Sequence, residues 1–191
     1  MSEDMRAVVG ELSQKHTVAI VSGRMREDVE NLVKIEGLFY AGSHGFDIRG
    51  PKFSMVHQKA KEAIPVVSEI IKRLETEVGQ IEGVLVEEKR FSVALHYRLA
   101  DAGVVPKLKE VVDKIIEDND TVRLLSGKKV FEILPNIDWD KGKAIRWIVQ
   151  ALGIDWQAAS VVYIGDDTTD EYAFRSVRTR GTGILVSGVK K

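Results

Sequence analysis

The sequence predicts an α/β protein: a Rossmann-like, doubly wound parallel sheet forms the core, and an α+β domain is inserted into it. Three observations predict this. Short apolar runs at residues 17–21, 38–41 and 161–164 end at polar, glycine-bearing turns and alternate with helical segments, the pattern of strands buried on both faces of a parallel sheet. The middle of the chain switches to two-residue alternation and repeats a helix-plus-hairpin unit, which predicts an antiparallel sheet with helices on one face. After the run Val161-Val162-Tyr163-Ile164, the segment Gly165-Asp166-Asp167-Thr168-Thr169-Asp170-Glu171 gathers four carboxylates at a strand end, where ligands bind in open α/β sheets.

The elements follow in order. Met5, Val8, Val9 and Leu12 recur at helical spacing and predict a helix over 3–15. A strand at 17–21 closes at Ser22-Gly23-Arg24, and a helix over 26–35 leads to a strand at 38–41 that ends in Gly42-Ser43-His44-Gly45. Residues 51–57 and 135–140 are the expected crossings, so residues 1–56 and 135–191 form the core and 57–134 the insert. Within the insert, helices are expected near 66–78 and 104–117. Strands are expected at 83–87, 91–98, 121–125 and 130–134, with Ser126-Gly127 as the last hairpin's turn. In 91–98, Phe91, Val93, Leu95 and Tyr97 face one way; Ser92, Ala94, His96 and Arg98 face the other. In 130–134 the same period separates Glu132 from Phe131 and Ile133. The helix-free face is expected to act as a cap looking into the mouth of the core. Beyond it, a helix over 141–152 stops at Gly153, and strands follow at 161–164 and 184–186.

Composition narrows the function. The 191 residues are 44% hydrophobic and 30% charged with a net charge of -1, which points away from nucleic acid and from anionic membranes. No apolar run approaches the roughly 18 residues of a membrane span, and the N-terminus has no signal-peptide pattern. The chain contains no cysteine, so disulfides, thiolate metal sites and a cysteine nucleophile are excluded; this fits a reducing cytoplasm, the expected location.

Crowded carboxylates at a buried strand end repel one another and call for a hard cation with oxygen ligands, Mg2+ above all; the plain alternative is an acidic turn capping the next helix. A hydroxyl beside helix-opening N–H groups can cradle a phosphate, and a lysine can hold it as a point charge. For Ser22 and Lys141 the plain readings are a helix cap and a surface lysine, and for His96 and Arg98 a solvated sheet face. The collection of segments resembles the haloacid dehalogenase superfamily of phosphatases, and within it the trehalose-6-phosphate phosphatase family. The matching wording is Val21-Ser22-Gly23-Arg24, Gly42-Ser43-His44-Gly45, Glu88-Lys89 with His96-Tyr97-Arg98, Asp140-Lys141-Gly142-Lys143, and Gly165 through Glu171. The resemblance implies a Mg2+-dependent phosphomonoesterase acting on a phosphorylated sugar, trehalose 6-phosphate, through an aspartyl-phosphate. Carried over, Ser22 and Lys141 are the phosphate-binding catalytic residues; Lys143 competes with Lys141, but the lysine directly before glycine matches better. Asp166 is the principal metal ligand, with Asp167 and Asp170 beside it or supporting it. Arg24 and His44 join the substrate-binding set, and Lys89, His96, Arg98 and Glu132 contact the sugar hydroxyls.

One departure stands out. The superfamily's nucleophile is an aspartate in an Asp-x-Asp-Gly-Thr segment after a first core strand, and here only a helix precedes Thr17. Asp118-Asn119-Asp120 and Asp138-Trp139-Asp140 have the spacing but not the place. The expectation is therefore a phosphatase truncated at its N-terminus, and short at its C-terminus as well. A catalytically dead sugar-phosphate-binding or regulatory module and a related sugar phosphatase are the competing readings. Without its central strand, the sheet should show either a gap between strands 17–21 and 161–164, or direct pairing of the two. A partner chain that adds a strand could fill such a gap.

Overall fold

A computed structural model describes residues 1–187, and the chain divides into two units, Met1–Met55 with Trp139–Lys191, and Val56–Asp138. In the first unit, α1 (Glu3–Ser13) begins at Ser2, whose hydroxyl accepts the Met5 N–H at 3.3 Å. Its apolar stripe is not buried as the spacing suggests: Met5, Val8 and Leu12 are exposed, and only Val9 packs inward. β1 (Ala19–Val21) leads into α2 (Arg26–Val33), and Arg6 fixes α1 to the end of α2 by donating to the Val33 carbonyl at 2.8 Å. β2 (Phe39–Gly42) pairs in parallel with β1, and Val29 and Val33 of α2 pack on Leu38 and Tyr40. The crossing expected after residue 50 instead follows an antiparallel extension. β3 (Asp47–Arg49) pairs with β2, and β4 (Ser54–Val56) completes the order β1-β2-β3-β4.

The second unit holds α3 (Gln58–Glu62), α4 (Ile64–Glu77), β5 (Leu85–Glu88), β6 (Val93–His96), α5 (Val105–Asp118), β7 (Val122–Gly127) and β8 (Val130–Pro135). Both longer helices carry proline in the first turn, where its missing N–H costs nothing. The strands run antiparallel in the order β5-β6-β8-β7. Val67, Ile70, Leu74, Leu108, Val112 and Ile115 of the helices pack on Val93, Leu95, Phe131 and Ile133 of the sheet. The final hairpin turns two residues later than expected, at residues 128 and 129, with Lys129 left-handed at φ 65°.

The chain returns to the first unit with α6 (Lys141–Ala151), capped by Asp140, which accepts the Lys143 N–H at 2.9 Å. β9 (Val161–Gly165), α7 (Glu171–Val177) and β10 (Gly181–Leu185) follow, and β9 and β10 pair in parallel. One helix serves two sheets. Ala144 and Ile148 of α6 pack on Phe39, Ala41 and Ile48, whereas Ile145 packs on Tyr163, Ala173 and Val177. Among the described residues β1 and β9 do not pair: each is an end strand of its own sheet. The fold class is α/β with parallel pairing, and its core is split rather than continuous.

Candidate phosphate and metal site

Asp170 organises the end of β9. Its Oδ1 accepts the Lys141 ammonium at 2.6 Å and the Tyr163 hydroxyl at 2.6 Å, while Oδ2 accepts the N–H groups of Asp166 and Asp167, each at 2.9 Å. Gly165 makes this possible, because a Cβ there would stand 2.5 Å from Oδ2. The pair is buried, with the Lys141 and Asp170 side chains 8% and 6% exposed. Burial pushes the Asp170 carboxyl up, but the hydrogen bonds from Lys141, Tyr163 and the Asp167 N–H outweigh it and hold the pKa below the ordinary value. Burial first, and then the neighbouring Asp170, push the Tyr163 phenol well above its ordinary value. Tyr163 was not among the residues the sequence singled out, since it reads as one more aromatic in an apolar strand; alternation does place it opposite Val162 and Ile164, both exposed.

The other aspartates differ. Asp167 accepts the Thr168 N–H at 2.6 Å and so caps the turn Thr168–Asp170, which is the capping role weighed for this motif. Asp166 is exposed and turned to solvent. Among the described residues no group of three His, Cys, Asp or Glu side chains is placed to hold a metal. A hard cation is still compatible with the site, because Mg2+ keeps several waters and takes one or two carboxylates together with substrate phosphate oxygens. Asp170 has both oxygens committed to Lys141, Tyr163 and two backbone N–H groups, so the exposed Asp166 is the carboxylate here whose placement suits such a ligand.

The loop expected to cradle a phosphate follows β1. The Ser22 N–H donates to the Ala41 carbonyl at 2.8 Å, and the Ser22 hydroxyl accepts the Arg24 N–H at 3.1 Å. Ser43, His44 and Gly45 are all left-handed, with φ of 49°, 58° and 96°. This places the imidazole of His44 directly on Gly23, where a Cβ would meet its Cε1 at 2.7 Å. The His44 N–H donates to the Ser22 carbonyl at 2.9 Å. Gly45 in turn lies against α6: its carbonyl accepts the Trp139 indole N–H at 2.9 Å, and a Cβ on it would stand 2.4 Å from that of Ala144. The first turn of α6 thus ties the loops after β2 and β9 together, with Ser22, Arg24 and His44 linked to one side and Lys141, Asp166 and Asp170 to the other.

In the second unit, Glu132 accepts from Lys89 at 3.0 Å and from the Ser92 hydroxyl at 2.8 Å. The Lys89 and Glu132 side chains are each 11% exposed. His96 pairs with Glu87 at 2.7 Å on the same sheet. Arg98 stands apart: β6 ends at His96, so the expected alternation does not reach it, and Arg98 is exposed and donates to the Lys128 carbonyl at 3.4 Å. Glu87 and Ser92 complete this polar network and were not selected from sequence.

A family model described as trehalose-phosphatase matches residues 1–191. The chain belongs to the trehalose-phosphatase family. A relative from Oryza sativa subsp. japonica named "Probable trehalose-phosphate phosphatase 4" is 42% identical over 197 residues, which cover 100% of this chain and 54% of the relative. "Trehalose-phosphate phosphatase B" of Arabidopsis thaliana is 39% identical over 203 residues, with 100% and 54% covered. The chain spans about half the length of the curated relatives it matches. A solved structure described as a trehalose-6-phosphate phosphatase related protein superposes with a TM-score of 0.83 at 21% identity, covering 100% of this chain and 79% of that one. The likeness shows that the chain shares the α/β fold of that structure.

Proposed function

We propose that the chain serves phosphomonoester hydrolysis on trehalose 6-phosphate in the cytoplasm. The observation that carries this reading is the Asp170 hub, which holds the Lys141 ammonium and presents Asp166 at one strand end. Lys141 holds the phosphoryl group electrostatically, and the Ser22 hydroxyl donates to it. Asp166 holds Mg2+, which screens the phosphate's charge when bound. Lys89, His96, Arg98 and Glu132 of the second unit bind the sugar hydroxyls by charge-assisted hydrogen bonds. The 191 residues contain no Asp-x-Asp-Gly-Thr segment, so the role assigned to them is to bind and position the phosphoryl group, not to attack it.

Titration calorimetry of trehalose 6-phosphate against the full chain, with and without Mg2+, tests the reading. Binding should strengthen with Mg2+, lose that gain in Asp166→Asn, and exceed binding of glucose 6-phosphate. Mg2+-independent binding without preference for the disaccharide would overturn it. Phosphate release at rates of about 1 per second would overturn the restriction to positioning.

A further inference from the structure

Arg26 opens α2, close behind Ser22 in the chain. Its guanidinium has three carboxylate partners: Nε donates to Asp47 at 3.0 Å, Nη1 to Glu30 at 2.7 Å, and Nη2 to Glu27. Glu27 and Glu30 belong to α2 itself, so they neutralise the charge without fixing the helix to anything else. Among the described residues, Asp47 on β3 is the partner that ties this guanidinium to another element. The pair is largely buried, with the Arg26 and Asp47 side chains 12% and 6% exposed, where a charge-assisted hydrogen bond is little weakened by water.

The same part of the sheet also seats the backbone of Arg26. Gly42 stands opposite Asp47 in the register of β2 and β3, and a Cβ on Gly42 would collide with the Arg26 backbone nitrogen. Arg26 thus rests by its main chain on one member of a cross-strand pair and by its side chain on the other. Among the described residues, no side chain caps α2 at Met25, so this seat fixes where the helix begins. From there the chain runs back to Arg24, whose carbonyl accepts the Ser43 N–H at 2.7 Å and whose N–H donates to the Ser22 hydroxyl at 3.1 Å. Accepting that bond turns the Ser22 hydroxyl, so the placement of Arg24 sets where its own proton points.

We propose that Asp47 is a positioning residue for the Ser22 loop: through Arg26 it fixes the start of α2 against β2, and with it the direction in which Ser22 presents its hydroxyl to a phosphoryl group. This rests on the phosphate-binding reading of Ser22. Asp47 itself touches no substrate. Its removal leaves Arg26 neutralised by Glu27 and Glu30, so α2 stays formed but loses its tie to the sheet, and a shift of about 1 Å in a positioned group is strongly felt.

Amide hydrogen exchange on the full chain without ligand, and titration calorimetry with trehalose 6-phosphate and Mg2+, test this in Asp47→Ala, Ser22→Ala and the double variant. In Asp47→Ala the Ser43 and His44 N–H groups, which donate to the Arg24 and Ser22 carbonyls, should exchange about tenfold faster or more, while those of Asp166 and Asp167 keep their rates. Affinity should fall about tenfold in each single variant and no further in the double variant, because both losses act on one hydroxyl. Losses that multiply in the double variant, or exchange that rises equally at Asp166 and Asp167, would mark a merely structural pair and overturn the proposal. Unchanged exchange at Ser43 and His44 would overturn it too. If Ser22→Ala binds as tightly as the unaltered chain, the phosphate reading of Ser22 fails, and faster exchange confined to Ser43 and His44 still supports the tie through Arg26. Asp47→Asn keeps one acceptor for Nε; it should fall between the unaltered chain and Asp47→Ala in both measurements, and it carries the test alone if the alanine variant does not fold.

Discussion

Replacing Asp170 by asparagine keeps the shape of the side chain and removes its charge, and the structure says what that costs. The carboxylate accepts four donors, two on each oxygen. An amide has a single acceptor oxygen, so either Lys141 and Tyr163 or the two backbone N–H groups must face an NH2 group. Lys141 also loses its counter-ion at a site where both side chains are less than one-tenth exposed. Breaking such a pair from one side costs about 3–5 kcal/mol. With a urea slope of about 2 kcal/mol/M, the unfolding midpoint should fall by about 2 M. Tryptophan fluorescence reads this cleanly, because Trp139, Trp147 and Trp156 all lie in the unit that contains Asp170. The pKa of Asp170 is lowered in the fold, so its contribution is present above the unfolded value of about 3.9 and disappears as pH falls through the folded value. Asp170→Asn should flatten that acid limb. The exposed Asp166→Asn should change stability by no more than about 0.5 kcal/mol. A loss below about 1 kcal/mol for Asp170→Asn, or equal losses for the two variants, would refute the hub.

Tyr163→Phe should cost about 1 kcal/mol at neutral pH. Its phenol is raised in the fold, so its contribution is whole below about pH 10 and shrinks as pH rises further; urea midpoints at pH 8 and 10.5 should show a smaller alkaline loss in the variant, with Tyr40, also raised by burial, keeping its own share. Glu132→Gln removes the charge facing Lys89 and should destabilise the second unit by about 3 kcal/mol, read by circular dichroism because no tryptophan lies in that unit. An unchanged midpoint would mean that the Lys89–Glu132 pair is wetted in solution.

The elements that were legible in the sequence are those whose burial dictates their composition. β2 and the hydrophobic side of β6 could be read because Phe39, Tyr40 and Ala41, or Val93 and Leu95, have no alternative but the core. β3 and β4 could not, since two three-residue strands with charged or polar members carry no period long enough to see. β10 begins three residues before its apolar run because Gly181 and Gly183 extend it; a Cβ on Gly181 would stand 2.2 Å from the Val161 carbonyl, and one on Gly183 would stand 2.8 Å from the Phe174 ring, so close approach rather than propensity decides the residue. In the candidate site, Lys141 and the aspartates were visible as a motif, but the division of labour among Asp166, Asp167 and Asp170 depends on which carboxylate folds back onto its own loop. Tyr163 and Glu87 were invisible for the same reason: their partners come from other elements.

The left-handed run at Ser43, His44 and Gly45 sets stability against use. A non-glycine residue in that region carries about 1–3 kcal/mol of strain, and glycine at position 44 would release it. It would also delete the one imidazole that rests on Gly23. A lineage selected only for a sturdier fold would gain by losing His44, whereas one that needs the Ser22 loop held in place would keep it. The same logic governs laboratory evolution: His44→Gly should emerge from selections for thermal resistance, and not from selections for binding.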